Sequence, residues 1–124
     1  MKIELRPDEK LLKEDPANLQ RGLETVGGRL FLTDSRLVFV SHRFNVQSGP
    51  TEIALSEVRS VRPCWTKFLG LLPLLPNSLA VASTSGEHRF VVFGRSAWAQ
   101  AIQAAASRLA SNNSFKGMPL RGTP

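Results

Sequence analysis

The sequence is poor in the residues that carry covalent and metal chemistry. Its 124 residues include one cysteine and two histidines. Cys64 has no second thiol to pair with, so no internal disulfide can staple the chain, and a reducing cytoplasm is the expected setting. Between Pro63 and Trp65 it reads as a small buried hydrophobe rather than a reactive thiol. His42 and His88 lie on separate segments without HxxxH or CxxC spacing, so no metal is expected and each histidine is read as structural or surface-exposed. Gly27-Gly28 lacks the Gly-Lys-Ser or GxGxxG context of a phosphate-binding loop. No nucleophile stands with a base and no carboxylates are paired by spacing. The expectation is a protein without enzymatic activity or cofactor.

A long apolar run and an apolar leader are missing too. The most apolar stretch, residues 65 to 76, is far shorter than the ~20 residues that cross a bilayer as a helix. Its two prolines and one glycine also argue against a regular helix or central strand. Met1-Lys2-Ile3-Glu4-Leu5-Arg6 mixes charges where a signal peptide would be apolar. With 42% hydrophobic and 21% charged residues the composition is that of one soluble globular domain. The net charge of +6 is unevenly spread: residues 1–28 sum to −1 and the remainder to +7. The basic surface therefore belongs to the folded body, and it favours an anionic partner, although many basic domains use such charge for solubility alone.

What is present is a series of short alternating segments. Leu30 and Leu32 alternate with Arg29, Phe31 and Thr33, and Leu37 and Phe39 with Arg36, Val38 and Val40. Residues 28–41 thus read as a hairpin turning at Asp34-Ser35, where Asp tolerates left-handed φ and the Thr33 hydroxyl can bond nearby backbone. A first strand from Leu11 is expected to be interrupted at Pro16, and Gly27-Gly28 to give flexibility just ahead of the hairpin. Further strands are expected around Ile53 and Leu55, over a short segment pointed to by Val61 and Cys64 that contains Arg59 and Arg62 and stops near Pro63, over residues 79–83, and from His88 to Phe93 after a Ser85-Gly86 turn. From Ser96, read as an N-cap, the period changes: Trp98, Ala101, Ile102, Ala105 and Leu109 form one helical stripe over 96–109. Ser111 to Ser114 is expected to end that helix. The chain divides into an arm (1–10), a folded domain (11–110) and a flexible tail (111–124).

Seven short strands and one amphipathic C-terminal helix is the order of a pleckstrin-homology-like barrel, two bent antiparallel sheets capped by a helix. Gly28-Arg29-Leu30-Phe31-Leu32-Thr33, Arg36-Leu37-Val38-Phe39, Ile53-Ala54-Leu55 with Val58, and finally Phe90 and Trp98 resemble a GRAM domain, a member of that superfamily. The resemblance covers roughly residues 11–106. It implies a membrane-associated module that binds lipid or protein.

Two sets of residues could carry such binding. Arg21, Arg29, Arg43, Arg59, Arg62 and Lys67 could hold lipid headgroups, since arginine forks suit phosphate. They could equally form a solvated face, and Arg59 and Arg62 need not share a side of their strand. Phe68, Leu69, Leu71, Leu72, Leu74 and Leu75 form either a plug across the barrel mouth or an apolar loop for a membrane or partner; monomers rarely expose large apolar patches, which favours the plug. The polar run from His42 to Gln47 is read as satisfying loop backbone. The expected function is weak association with anionic lipid at a membrane surface, from the cytoplasm, with a protein-interaction or self-assembly adaptor as the alternative. Nucleic acid is not expected, because base-stacking aromatics are not evident.

Overall fold

The computed structural model describes residues 2–21, 24–42, 50–64, 67–68, 72–73 and 78–117; residues 21, 24, 63–64, 67–68, 72–73 and 112–117 are described by backbone alone. Strands β1 (Leu11–Arg21) and β2 (Glu24–Thr33) form a long antiparallel pair that the rest of the sheet shares. The lower part of β2, Gly28 to Leu32, pairs with β3 (Arg36–Ser41), which pairs with β4 (Thr51–Ala54). A 3-10 turn at Leu55–Glu57 leads to β5 (Val58–Cys64). After a two-residue ladder between β6 (Lys67–Phe68) and β7 (Leu72–Pro73) come β8 (Ser78–Ser83) and β9 (Gly86–Val92). Strand β9 returns to the upper part of β1, pairing Ala17–Val92 to Gln20–Arg89. The seven-stranded sheet has the order β4-β3-β2-β1-β9-β8-β5.

The seven antiparallel strands and C-terminal helix match the expected fold, with one adjustment. The sheet is continuous rather than split in two, and it is not closed into a barrel: β4 and β5 are its edges. The long β1–β2 pair makes this possible by carrying both halves. Strand β1 also runs straight through Pro16, against the expected interruption. Pairing with β9 starts only at Ala17, so Pro16 sits where one flank of β1 is still open, a position that tolerates a missing N–H. Pro63 is likewise on an edge strand.

The hairpin turns at Asp34-Ser35 as the alternation indicates, with Leu32 facing Leu37. The Thr33 hydroxyl accepts the backbone N–H groups of Ser35 (3.1 Å) and Arg36 (3.0 Å). Asp34 is not left-handed; the one non-glycine residue with positive φ among those described is Asp8, at 66°. Inward residues Leu30, Leu32, Leu37 and Phe39 join Leu19, Ile53, Leu55, Leu79, Val81, Phe90 and Val92 in one buried core.

Gly27-Gly28 lies inside β2, not in a flexible lead-in. Gly28 is on the inward face, where a Cβ would collide with the Val40 carbonyl and come within 2.8 Å of the Phe39 ring and 2.9 Å of Ser41 Cα. The absent side chain lets Phe39 lie over the strand. Gly28→Ala is therefore expected to cost about 1–3 kcal/mol through overpacking. Gly27→Ala meets only the end of the Asn18 side chain at 3.2 Å and the His42 ring at 3.5 Å, and should cost distinctly less. Urea denaturation of the two variants checks the contrast.

Helix α1 spans Arg95–Gly117. Its first turn is closed by Trp98 N–H on the Gly94 carbonyl (3.0 Å), so Gly94, at φ +71°, holds the cap position and Ser96 is already helical. Trp98, Ala99, Ile102 and Ala105 are buried, with Ala101 and Leu109 packed partly against the core. The helix passes the Ser111–Ser114 stretch before ending, since Ser and Asn cost only a few tenths of a kcal/mol each relative to good helix formers. Phe93, expected in the last strand, instead stands 88% exposed at the corner between β9 and the helix.

Candidate functional site

The most connected polar site is one that no short motif announces. A turn with Glu9 N–H on the Arg6 carbonyl and Asp8 in the left-handed region aims the Glu9 carboxylate at the start of β3. Arg36 donates from Nε to Glu9 Oε2 (2.7 Å) and from Nη2 to Oε1 (3.0 Å). The hydroxyls of Thr33 (2.6 Å) and Ser35 (3.0 Å) donate to Oε2, and the Arg6 N–H to Oε1 (2.8 Å). Arg36 Nη1 reaches Glu52 (3.0 Å), Nη2 reaches the Glu4 carbonyl (2.7 Å), and Arg6 completes the ring with Glu52 (2.8 Å). The Arg36 and Glu9 side chains are only 9% and 2% exposed. Arg36, ahead of three hydroxyl and backbone donors, holds the Glu9 carboxyl far below the usual range, and Glu9 in turn raises the Arg36 pKa. With five donors on two oxygens, Glu9 has no lone pair left for a substrate. The cluster straps residues 4–9 across the outer face of the sheet, where Phe31 and Val38 are buried although outside the main core.

Of the candidate headgroup set, the three described side chains, Arg29, Arg59 and Arg62, do not converge. Arg29, on the outer face of β2, is spent on Glu14 (Nη2 to Oε1, 3.1 Å). Arg62 pairs with Glu87 at 2.9 Å, and Arg89 joins the same carboxylate at 3.3 Å; Arg62 first and Arg89 second lower the Glu87 pKa. The register of β5 on β8 slips between Val58 and Ser60, leaving Arg59 as the bulged residue. That turns Arg59 toward α1, where it lines a groove of about 450 Å³ with Gln103, Ala106 and Ser107, away from Arg62. Arg21 ends β1 and Lys67 opens β6, both described by backbone alone. Arg43 lies outside the described residues.

Of the apolar set, Phe68 and Leu72 face each other in the β6–β7 ladder, described by backbone. Leu69, Leu71, Leu74 and Leu75 lie outside the described residues, as does the polar run after His42. The histidines are on opposite faces. His42, exposed, donates its backbone N–H to the Gly27 carbonyl beside a shallow outer depression, whereas His88 stacks on Phe90 with 6.4 Å between ring centroids. Among the described residues no group of His, Cys, Asp or Glu could hold a metal. No described helix is long and apolar enough to cross a membrane.

Two basic residues absent from the candidate set do come together. Lys10 and Arg108 line a recess of about 350 Å³ with Leu12, Asp34, Ala105 and Leu109, between the arm, the β2–β3 turn and α1. Sequence spacing gives no hint of it, because Lys10 and Arg108 meet only when the helix packs back on the start of β1.

A model of the GRAM domain family matches residues 1–112. No protein of curated function matches the sequence. Among solved structures, the C-terminal domain of an unknown protein from Leishmania infantum is similar at TM-score 0.64 and 18% identity, over 81% of this chain and 86% of that one. The Vps36 N-terminal PH domain is similar at TM-score 0.62 and 20% identity, over 87% and 86%. The DH/PH domain of human ARHGEF11, from a ternary complex with human RhoA and its inhibitor, gives TM-score 0.61 and 16% identity over 81% of this chain but 30% of that one. At such identities the likeness is one of fold.

Proposed function

The chain belongs to the GRAM domain family, within the pleckstrin-homology-like superfamily, and from that premise we propose that it is a non-enzymatic module that associates weakly with anionic lipid at a membrane surface. Domains of this kind are commonly membrane, lipid or protein interaction modules. The observation that carries the reading is the distribution of charge. Glu9, Glu14, Glu52 and Glu87 are engaged in ion pairs within the domain, while exposed Lys10, Arg59 and Arg108 have no carboxylate partner among the described residues. Arg59 and Arg108 of the body, and Lys10 in the arm beside it, thus present positive charge outward, where each cation near an anionic bilayer contributes about 1 kcal/mol. A few such cations give reversible binding. Flotation with phosphatidylcholine vesicles should show binding only when phosphatidylserine is included, weakening as salt is raised through physiological strength. Equal binding to neutral vesicles, or none to either, would sink the proposal.

The groove between α1 and β5 favours a second reading, a protein-interaction adaptor. Its floor strand is a sheet edge, but that edge is blunted: Arg59 is bulged, Pro63 lacks an N–H, and Gln103 Nε2 already occupies the Val61 carbonyl at 3.1 Å. A partner there would dock by side chains.

A further inference from the structure

We propose that the recess between Lys10 and Arg108 is the lipid site of this domain, taking the phosphate of an anionic headgroup in a bilayer. The assignment rests on the membrane reading above and names its place. Three observations support it. Lys10 and Arg108 are exposed cations, and the one carboxylate in the recess, Asp34, is bonded to the backbone of Lys10, its Oδ1 accepting the Lys10 N–H at 3.2 Å while the Asp34 N–H bonds the Lys10 carbonyl. A phosphate between the two cations therefore meets unspent donors. Second, the rest of the lining is largely apolar, with Leu12, Ala105 and Leu109. Third, β1 carries an extra residue here: its register on β2 slips between Leu11 and Lys13, so Leu12 is bulged.

A bulge re-aims a side chain, and this one leaves Leu11 and Leu12 40% and 44% exposed beside the cations. Cations over a phosphate with leucines alongside match the charged and apolar layers of a membrane interface. A volume of about 350 Å³ is at the small end of ligand sites and accommodates a headgroup rather than acyl chains. An acidic protein segment would use the cations but would gain little from two exposed leucines.

The test uses the full chain and vesicles of phosphatidylcholine with phosphatidylserine at physiological ionic strength, where exposed charges act over about 8 Å. Lys10→Gln with Arg108→Gln should weaken binding about thirtyfold, at about fivefold per cation. Leu12→Ser should weaken it a few-fold. Arg89→Glu, which changes charge on the far outer face, should stay within twofold, and matching melting temperatures will show that the variants are folded. Spin-labelled lipid should broaden the amide signals of Lys10, Ser35 and Leu109 more than those of Ser60 and Glu87. If the wild-type protein binds and the double variant binds equally well, this site is wrong while the membrane function stands. If the wild-type protein does not bind, both fall. Loss in the double variant with no effect of Leu12→Ser, together with equal charge-dependent binding to oligoglutamate, would identify an acidic protein partner and overturn the lipid assignment.

Discussion

Replacing Arg36 with Met should destabilise the domain by about 3 to 5 kcal/mol, the range for removing one member of a buried ion pair. Arg36 neutralises a Glu9 side chain that is 2% exposed, and without it the carboxylate stays buried with hydroxyl and amide partners only. The companion Glu52 is well exposed, which puts the expected cost at the lower end of that range. Replacing both partners, Glu9→Gln with Arg36→Met, should cost less than Arg36→Met alone, because no charge is then stranded. The pH profile provides a second reading. The Glu9 pKa is depressed in the folded state by Arg36 first, so its stabilisation is fully present above the unfolded carboxylate pKa of about 4.3 and is lost as pH falls below it. Chemical denaturation from neutral to strongly acidic pH should show a shallower acid loss in Glu9→Gln than in the wild type. Identical slopes would mean that the strap is not held by this carboxylate.

Trp98→Ala should cost a comparable amount, about 3 to 5 kcal/mol, the range for truncating a large core aromatic. Trp98 is completely buried, its Nε1 donates to Asp15 Oδ2 at 2.9 Å, and Lys13 Nζ lies 5.3 Å from the ring centroid. These contacts fasten the helix to β1 across the open side of the sheet. Trp98→Phe separates packing from the hydrogen bond: it should keep most of the stability and lose about 1 kcal/mol. Asp15 remains able to reach water, being partly exposed. Thermal melts of the two variants distinguish the contributions, and an unchanged midpoint in Trp98→Ala would rule out the helix as the closing element.

The parts of the fold that could be read from the sequence are those set by local period. Leu30, Leu32, Leu37 and Phe39 alternate because one face of their hairpin is buried, and Trp98, Ile102 and Ala105 recur at helical spacing because one helix face is. Pairings between distant residues leave no such trace. Glu9 and Arg36 are ordinary charges until a turn around Asp8 brings the arm over the sheet. Leu11 and Leu12 look like strand core, yet the bulge at Leu12 exposes both. Gly28 looks like a hinge because the sequence does not show that Phe39 will occupy the space above it. The arginine set rests on residue type, and the carboxylates that neutralise Arg29 and Arg62 come from other strands: Glu14 on β1, beside the strand of Arg29, and Glu87 on β9, one strand beyond the β8 that pairs with β5. Charge in the sequence shows how much positive character the body carries; which cations are left over depends on strand pairing.

The first strand of the chain lies in the middle of the sheet, between β2 and β9. As the polypeptide emerges during synthesis, β1 to β4 can zip into a meander from neighbouring segments. The β1 flank from Ala17 to Gln20 must then wait for residues 89–92 to complete its ladder. Until then the nascent domain carries an open strand edge in its centre, a surface on which another unfinished chain can pair. Completion depends on contacts of large sequence separation, including the 83-residue step from Asp15 to Trp98, so folding is expected to be slow for a chain of this size. The same arrangement offers a route to strand exchange, in which β8, β9 and the helix of one molecule complete the β1 of another.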